Sequence, residues 1–332
     1  MRKIVQTVLG PIPIEKLGRT LIHEHLYVAF SGAELENDGY NRTAFVNDAV
    51  WRMKALMDHG VKTFVDPCPI ELGRDPELMA EISEKSGINI VCTTGFYFEE
   101  LGLPVYWRFR SVEEIAEFYI REIEFGIGDT GIKPGLIKAA SGKPVITEQE
   151  RKFLQAAAIA SKHTGLPILT HTEDGHCGPE QVDVFTAGGV EPHRCMIGHS
   201  CGNPDHAYHR RIVDKGAYIG FDRIGASVFL KDSIRADNVK KLLDAGFIDR
   251  LLMSQDRVCL TRGKPFHPYP EKIIPKIDAL KRAGEWPGLQ TYIFETFLPM
   301  LRERGITDAQ IAHILDANPR RFFSGAPFAA QH

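Results

Sequence analysis

Gly135-Leu136-Ile137-Lys138-Ala139-Ala140, then Thr147-x-x-Glu150, then Pro167-Ile168-Leu169-Thr170-His171-Thr172 is the stretch that decides the architecture. Two short apolar runs flank a segment with helical apolar spacing. Continuous apolar runs of strand length suit strands covered on both faces by helices. Two parallel strands need a crossover of helix length between them. Thr147 and Glu150 supply a capping box, which opens a helix expected to run through Ala160.

The same unit recurs outward in both directions. Candidate strands are Arg19–Leu26, Lys62–Asp66, Ile88–Thr94, Gly135–Ala140, Pro167–Thr172, Arg194–His199, Ala217–Asp222 and Arg250–Asp256. Between them lie amphipathic segments such as Phe45-Val46-Ala49-Val50-Met53-Leu56-Met57, which Gly60 ends. Eight strand–helix units predict an α/β fold, a (β/α)8 TIM barrel spanning 1–332 as one domain, with a doubly wound open sheet as the alternative. The chain's 332 residues exceed the about 250 typical of that barrel. The surplus falls in Tyr27–Arg42, Phe96–Arg110 and Arg257–Pro270, loops expected to roof the C-terminal rim.

With 43% hydrophobic residues the chain has material for a large core, and its net charge of -3 points away from nucleic acid as a partner. Cys68, Cys92, Cys177, Cys195, Cys201 and Cys259 form no C-x-x-C pair and read as reduced thiols. The first residues lack a secretory apolar stretch, and no run approaches the about 18 apolar residues of a membrane span. A cytoplasmic enzyme without membrane partners is the expectation.

Chemistry gathers at the ends of the candidate strands. His23 and His25 stand two residues apart, so in a strand both point to one face and Glu24 to the other. Imidazoles suit zinc and similar ions, but one H-x-H fits paired core or surface histidines equally well. Strand five adds His171, strand six His199 and strand eight Asp256, and a barrel gathers all these ends at one mouth. Lys138 lies in an apolar strand, where an ammonium is costly and cannot ligate a cation. It reads either as a lysine snorkelling at the sheet rim or as an amine whose pKa burial lowers. A neutral amine can take up carbon dioxide, and the resulting carbamate offers two oxygens to two metals.

Leu21-Ile22-His23-Glu24-His25-Leu26, the strand-four lysine, the two later histidines and the strand-eight aspartate together resemble the phosphotriesterase family of the amidohydrolase superfamily. The resemblance covers nearly the whole chain. It implies a first metal on His23, His25 and Asp256, a second on His171 and His199, and a carboxylated Lys138 bridging both with a hydroxide. The metals implied are divalent: zinc first, with cobalt, manganese or iron as alternatives. Within the family the chain is most similar to the phosphotriesterase-like lactonases, through Thr94-Gly95-Phe96-Tyr97 and Gly220-Phe221-Asp222-Arg223-Ile224-Gly225. That implies that Tyr97 orients the substrate carbonyl, that Arg223 orders loop seven and lines the entrance, and that the enzyme is a homodimer. Gln255 stands where many relatives carry histidine, and neither Arg257–Pro270 nor Glu173-Asp174-Gly175-His176 matches a lactonase pattern.

The expected reaction is opening of an acyl or alkyl lactone, with Asp256 accepting the proton of the attacking water. A small-molecule phosphotriester, other ester, carbamate or N-acyl amide is the alternative substrate, and a barrel that binds without turnover is a third reading. Phe96, Tyr97, Phe98, Tyr106, Trp107 and Phe109 are expected either to hold an acyl chain or to pack the third loop. No G-x-S-x-G elbow is present, so an acyl-enzyme is not expected.

Overall fold

The computed structural model describes residues 2–263, 270–283 and 288–328. Eight parallel strands form a ring. Arg19–Leu21 pairs with Val61–Val65, which pairs with Asn89–Val91. The third strand resumes as Thr93–Gly95 against Leu136–Ser141, followed in order by Ile168–Thr172, Cys195–Ile197, Tyr218–Phe221 and Leu251–Met253. Val258–Thr261 then pairs with His25–Val28 and closes the barrel. The open-sheet alternative is thereby excluded.

Helices follow the strands as the apolar spacing predicts, among them Arg42–Asp58, Val112–Phe125, Glu148–Thr164 and Asp232–Asp244. The Thr147–Glu150 capping box forms with both reciprocal hydrogen bonds, and the helix outlasts the expected Ala160 by one turn, to Thr164. None of the helices among the described residues is long and apolar enough to cross a membrane.

Three differences from the sequence reading matter for the site. The first strand is not continuous over Arg19–Leu26; it breaks after Leu21 and resumes at His25. His199 and Asp256 lie beyond the ends of their strands with left-handed backbone, φ 56° and 54°. Part of the expected loop Arg257–Pro270 is the strand Val258–Thr261, while residues 264–269 lie outside the described residues.

Two apolar cores result. The larger lies between strands and helices. The smaller fills the barrel's closed end, where Ile22, Val65, Leu136, Leu169, Met196, Tyr218 and Leu252 meet Val5 and Leu17 from the N-terminal segment and Phe322 and Phe323 from the last helix. Because strand side chains alternate, Lys138 and His171 follow Leu136 and Leu169 on the same inner face, one step nearer the mouth.

Candidate metal centre

Above that plug the structure brings His23, His25, Lys138, His199 and Asp256 together. His23 Nε2 and His25 Nε2 lie 3.6 and 3.3 Å from Asp256 Oδ1, and His199 Nε2 lies 3.6 Å from Oδ2. Lys138 Nζ is 3.4 Å from His23 Nε2. The His171 ring adjoins that of His199, with centroids 4.6 Å apart. Strand packing permits this crowding only where no Cβ intervenes: one added at Gly95 would stand 2.0 Å from the Lys138 carbonyl oxygen.

Carboxylates decide which nitrogens face inward. Asp222, fully buried, accepts from Nδ1 of His23 at 2.8 Å and of His199 at 3.3 Å, and from the His199 backbone N–H at 2.6 Å. Asp66 accepts from His25 Nδ1 at 3.0 Å and from the backbone N–H groups of Leu26 and Cys68. Glu173 accepts from His171 Nε2 at 2.9 Å, which leaves His171 Nδ1 near the Tyr97 hydroxyl at 3.5 Å. A histidine that donates from one nitrogen presents the other as a lone pair, the arrangement that metal-ligating imidazoles need. His25, Asp66 and Cys68 also lie close together, but every Asp66 contact there is internal, so this group orients His25.

Burial lowers His23 to about 4, with Lys138 adding to the effect, and burial likewise lowers His171 and His199. Those three imidazoles are neutral at pH 7, the form that binds metal. In His25 burial acts downward but the hydrogen bonds to Asp256 and Asp66 outweigh it, so its pKa rises. Burial pulls Lys138 down to about 8 against the pull of Asp256 and Asp222. A buried amine of that kind has an accessible neutral form, on which carbamate formation depends. The donor set therefore fits divalent cations: imidazoles whose second nitrogens are held by carboxylates, one further carboxylate, and a lysine that can become a ligand by carboxylation.

Arg223 donates from Nε to Asp256 Oδ2 at 3.0 Å and stacks on Phe229 at 5.2 Å. Loop seven itself is tied by other residues. Buried Asp232 accepts from the Gly225 N–H and from Tyr292, and Arg235 donates to Asp232 and to the carbonyls of Ala226 and Leu230. Gln255 faces away from the centre; its amide donates to the Gln290 carbonyl and accepts from the Ile293 N–H, joining strand eight to a C-terminal helix.

The aromatic residues of loop three divide. Phe96 and Trp107 pack with Phe118, Tyr119 and Phe153, while Tyr106 and Phe109 are exposed. Tyr97 and Phe98 flank His171, the latter stacked at 5.2 Å. A cavity of about 710 Å³ touches the centre through Glu173 and is lined by Val228 and Phe229 of loop seven together with Asn203, Ile273 and Lys276.

Asp66, Asp222 and Glu173 were not among the sequence candidates. Asp66 and Asp222 end the expected second and seventh strands, the same signal that marks the histidines.

The Phosphotriesterase family model matches residues 3–323. An aryldialkylphosphatase of Saccharolobus solfataricus is 37% identical, over 94% of this chain and 97% of its own length. A phospho-furanose lactonase of Mycoplasmopsis synoviae is 30% identical, over 96% and 91%. The solved organophosphorus hydrolase of Deinococcus radiodurans superposes with a TM-score of 0.89 at 38% identity, covering 97% of each chain. With a closed barrel, a convergent histidine–aspartate mouth and whole-length similarity in agreement, the chain belongs to the phosphotriesterase family and is a metal-dependent hydrolase.

Proposed function

We propose that this hydrolase is a lactonase with a binuclear centre, acting as a single domain over 1–332. His23, His25 and Asp256 would hold one divalent ion, His171 and His199 the other, and a carboxylated Lys138 would bridge them. Zinc suits this donor set best, and cobalt, manganese or iron can replace it. The observation that carries the reading is the approach of three Nε2 atoms to one carboxylate while their Nδ1 atoms are occupied by Asp66 and Asp222. Two bound cations supply a lowered pKa for a shared water and polarise the oxygen of the bond under attack.

The protein's own groups do the rest. Asp256 takes the proton as the water attacks the lactone carbonyl and passes it to the leaving alkoxide as the ring carbon–oxygen bond breaks. Ring opening then gives a hydroxy acid, with no covalent intermediate. Tyr97, beside His171, is placed to donate to the substrate, and Arg223 fixes Asp256. The lactone assignment is supported by the lactonase among the relatives; the aryldialkylphosphatase supports a second reading, phosphotriester hydrolysis by the same water.

Turnover of a lactone, triester, aryl ester and N-acyl amide panel by zinc-, cobalt- or manganese-loaded protein tests the assignment. Lactones should turn over fastest and chelation should abolish activity. Faster turnover of another class replaces the substrate, and activity that survives complete chelation removes the metal centre. Six free thiols fit a reducing cytoplasm, and the homodimer expected from the resemblance is read from a native mass.

A further inference from the structure

Glu24, the middle residue of the His-Glu-His run, is fully buried and takes no part in the chemistry above. Its side chain crosses from the first strand to the eighth. Oε1 accepts from Ser254 Oγ at 2.7 Å and from the Gln255 N–H at 2.8 Å, and Oε2 accepts from the Arg257 N–H at 3.1 Å. Asp256 is the residue bracketed by those two amides, and its backbone is left-handed at φ 54°.

In extended backbone, amides two residues apart are separated by roughly 6.6 Å of rise. Turning the intervening residue left-handed draws neighbouring N–H groups into an anion-binding concavity. Here the concavity holds a side-chain carboxyl group of the protein itself. The kink costs free energy for any residue with a Cβ, on the order of 1 kcal/mol or more, and persists only where its surroundings fix it. Two further bonds close the bracket: Asp256 N–H donates to the His23 carbonyl and His25 N–H to the Arg257 carbonyl, at 3.0 and 2.8 Å. So the segment that carries two imidazoles also determines where the carboxylate stands.

We propose that Glu24 is a positioning residue that fixes the left-handed backbone of Asp256 and thereby aims its carboxylate at the ion shared with His23 and His25. The inference rests on the metal-centre reading and adds to it a role for a residue that touches no ligand.

Metal-free wild-type, Glu24→Gln and Ser254→Ala proteins, titrated with zinc against a chromophoric chelator and weighed by native mass spectrometry, provide the test. Glutamine keeps the size but turns an N–H2 toward one of the bracketing amides. One of the two zinc ions should bind about 10–100-fold more weakly in Glu24→Gln, the scale of losing a group that orients a metal ligand, with the other unchanged. Ser254→Ala, which removes one of the four hydrogen bonds to Glu24 and the acceptor of the His23 N–H, should weaken the same ion less. A role in stability alone would lower the melting temperature and leave both affinities intact. Should either variant that folds bind both ions as tightly as wild type, Glu24 does not position Asp256. Wild-type protein that takes up no zinc would instead overturn the metal centre itself.

Discussion

Leu136 and Lys138 stand two residues apart on one face of one strand, yet they belong to opposite ends of the barrel. At the closed end, Leu136 joins a plug of apolar side chains with Leu169, Tyr218, Leu252, Phe322 and Phe323. At the open end, Lys138 faces histidines and carboxylates, and the four non-glycine residues with positive φ among the described residues (Asp174, Cys177, His199 and Asp256) all lie in loops on that side. Burial stabilises the first end. At the second, burial lowers Lys138 and His23 toward their neutral forms, a cost the fold tolerates because the surrounding shell leaves these groups no alternative positions. One strand thus serves stability and chemistry within a single alternation.

The sharpest way to break that contrast is a pair of substitutions at these two positions. Lys138→Met should lower kcat/KM by more than about 10²-fold, since losing a mere orienting partner of a metal ligand already costs about 10–100-fold. The melting temperature should hold or rise, because a buried amine gives way to an apolar chain of similar length. Leu136→Ala should do the reverse, costing about 2–5 kcal/mol of stability with kcat per folded molecule unchanged. Urea unfolding and steady-state rates on both proteins decide the matter, and a Leu136→Ala enzyme that is stable but slow would show that the two ends are not separable.

A smaller effect is expected from Glu71, buried beneath Tyr97. Its Oε1 accepts from the Tyr97 N–H at 2.6 Å, and its Oε2 is buried with no hydrogen-bond partner among the described residues. Burial raises its pKa to about 8 from an ordinary 4.5. A carboxyl raised on folding favours the native state fully below about 4.5, and that contribution is lost as pH climbs through about 8. The slope is at most about 1.4 kcal/mol per pH unit. Glu71→Gln keeps an acceptor for Tyr97 and should flatten the decline, gaining on wild type at pH 8.5 relative to pH 4. Parallel urea midpoints for the two proteins across that range would refute the assignment.

The contrast between the ends also explains what the sequence discloses. The closed end and the strand–helix alternation are written in apolar periodicity, a local signal, and the barrel follows from counting units. The residues of the mouth are visible as types at strand ends: His23, His25, Lys138, His171, His199 and Asp256 converge in space as the topology requires. What periodicity cannot carry is the break after Leu21, the left-handed turns at His199 and Asp256, and the pairing of Val258–Thr261 with the first strand. The turn at Asp256 and the strand pairing depend on contacts between residues more than two hundred positions apart, such as Glu24 with Ser254, and the turn at His199 on its backbone N–H to Asp222. Composition leaves Phe96 and Trp107 open between the entrance and the loop's packing for a related reason, since an aromatic cluster reads the same either way, and the structure shows them packed.

The smallest effect separates two helix starts on the mouth side. Ser111 and Thr147 both cap helices through complete capping boxes, and replacing either by alanine should cost about 1 kcal/mol. Only Thr147 reaches further: its hydroxyl donates to Glu99 at 2.7 Å, and its partner Glu150 accepts from the Gly142 N–H at 2.8 Å. Glu99 lies two residues beyond Tyr97, so this cap ties loop three to loop four beside the centre. Thr147→Ala should therefore raise KM as well as lower the urea midpoint, whereas Ser111→Ala should change the midpoint alone. Equal KM values for the two variants would mean that loop three is held by its own aromatic packing, and that the open end is as independent of its helix caps as the closed end is of the metal ligands.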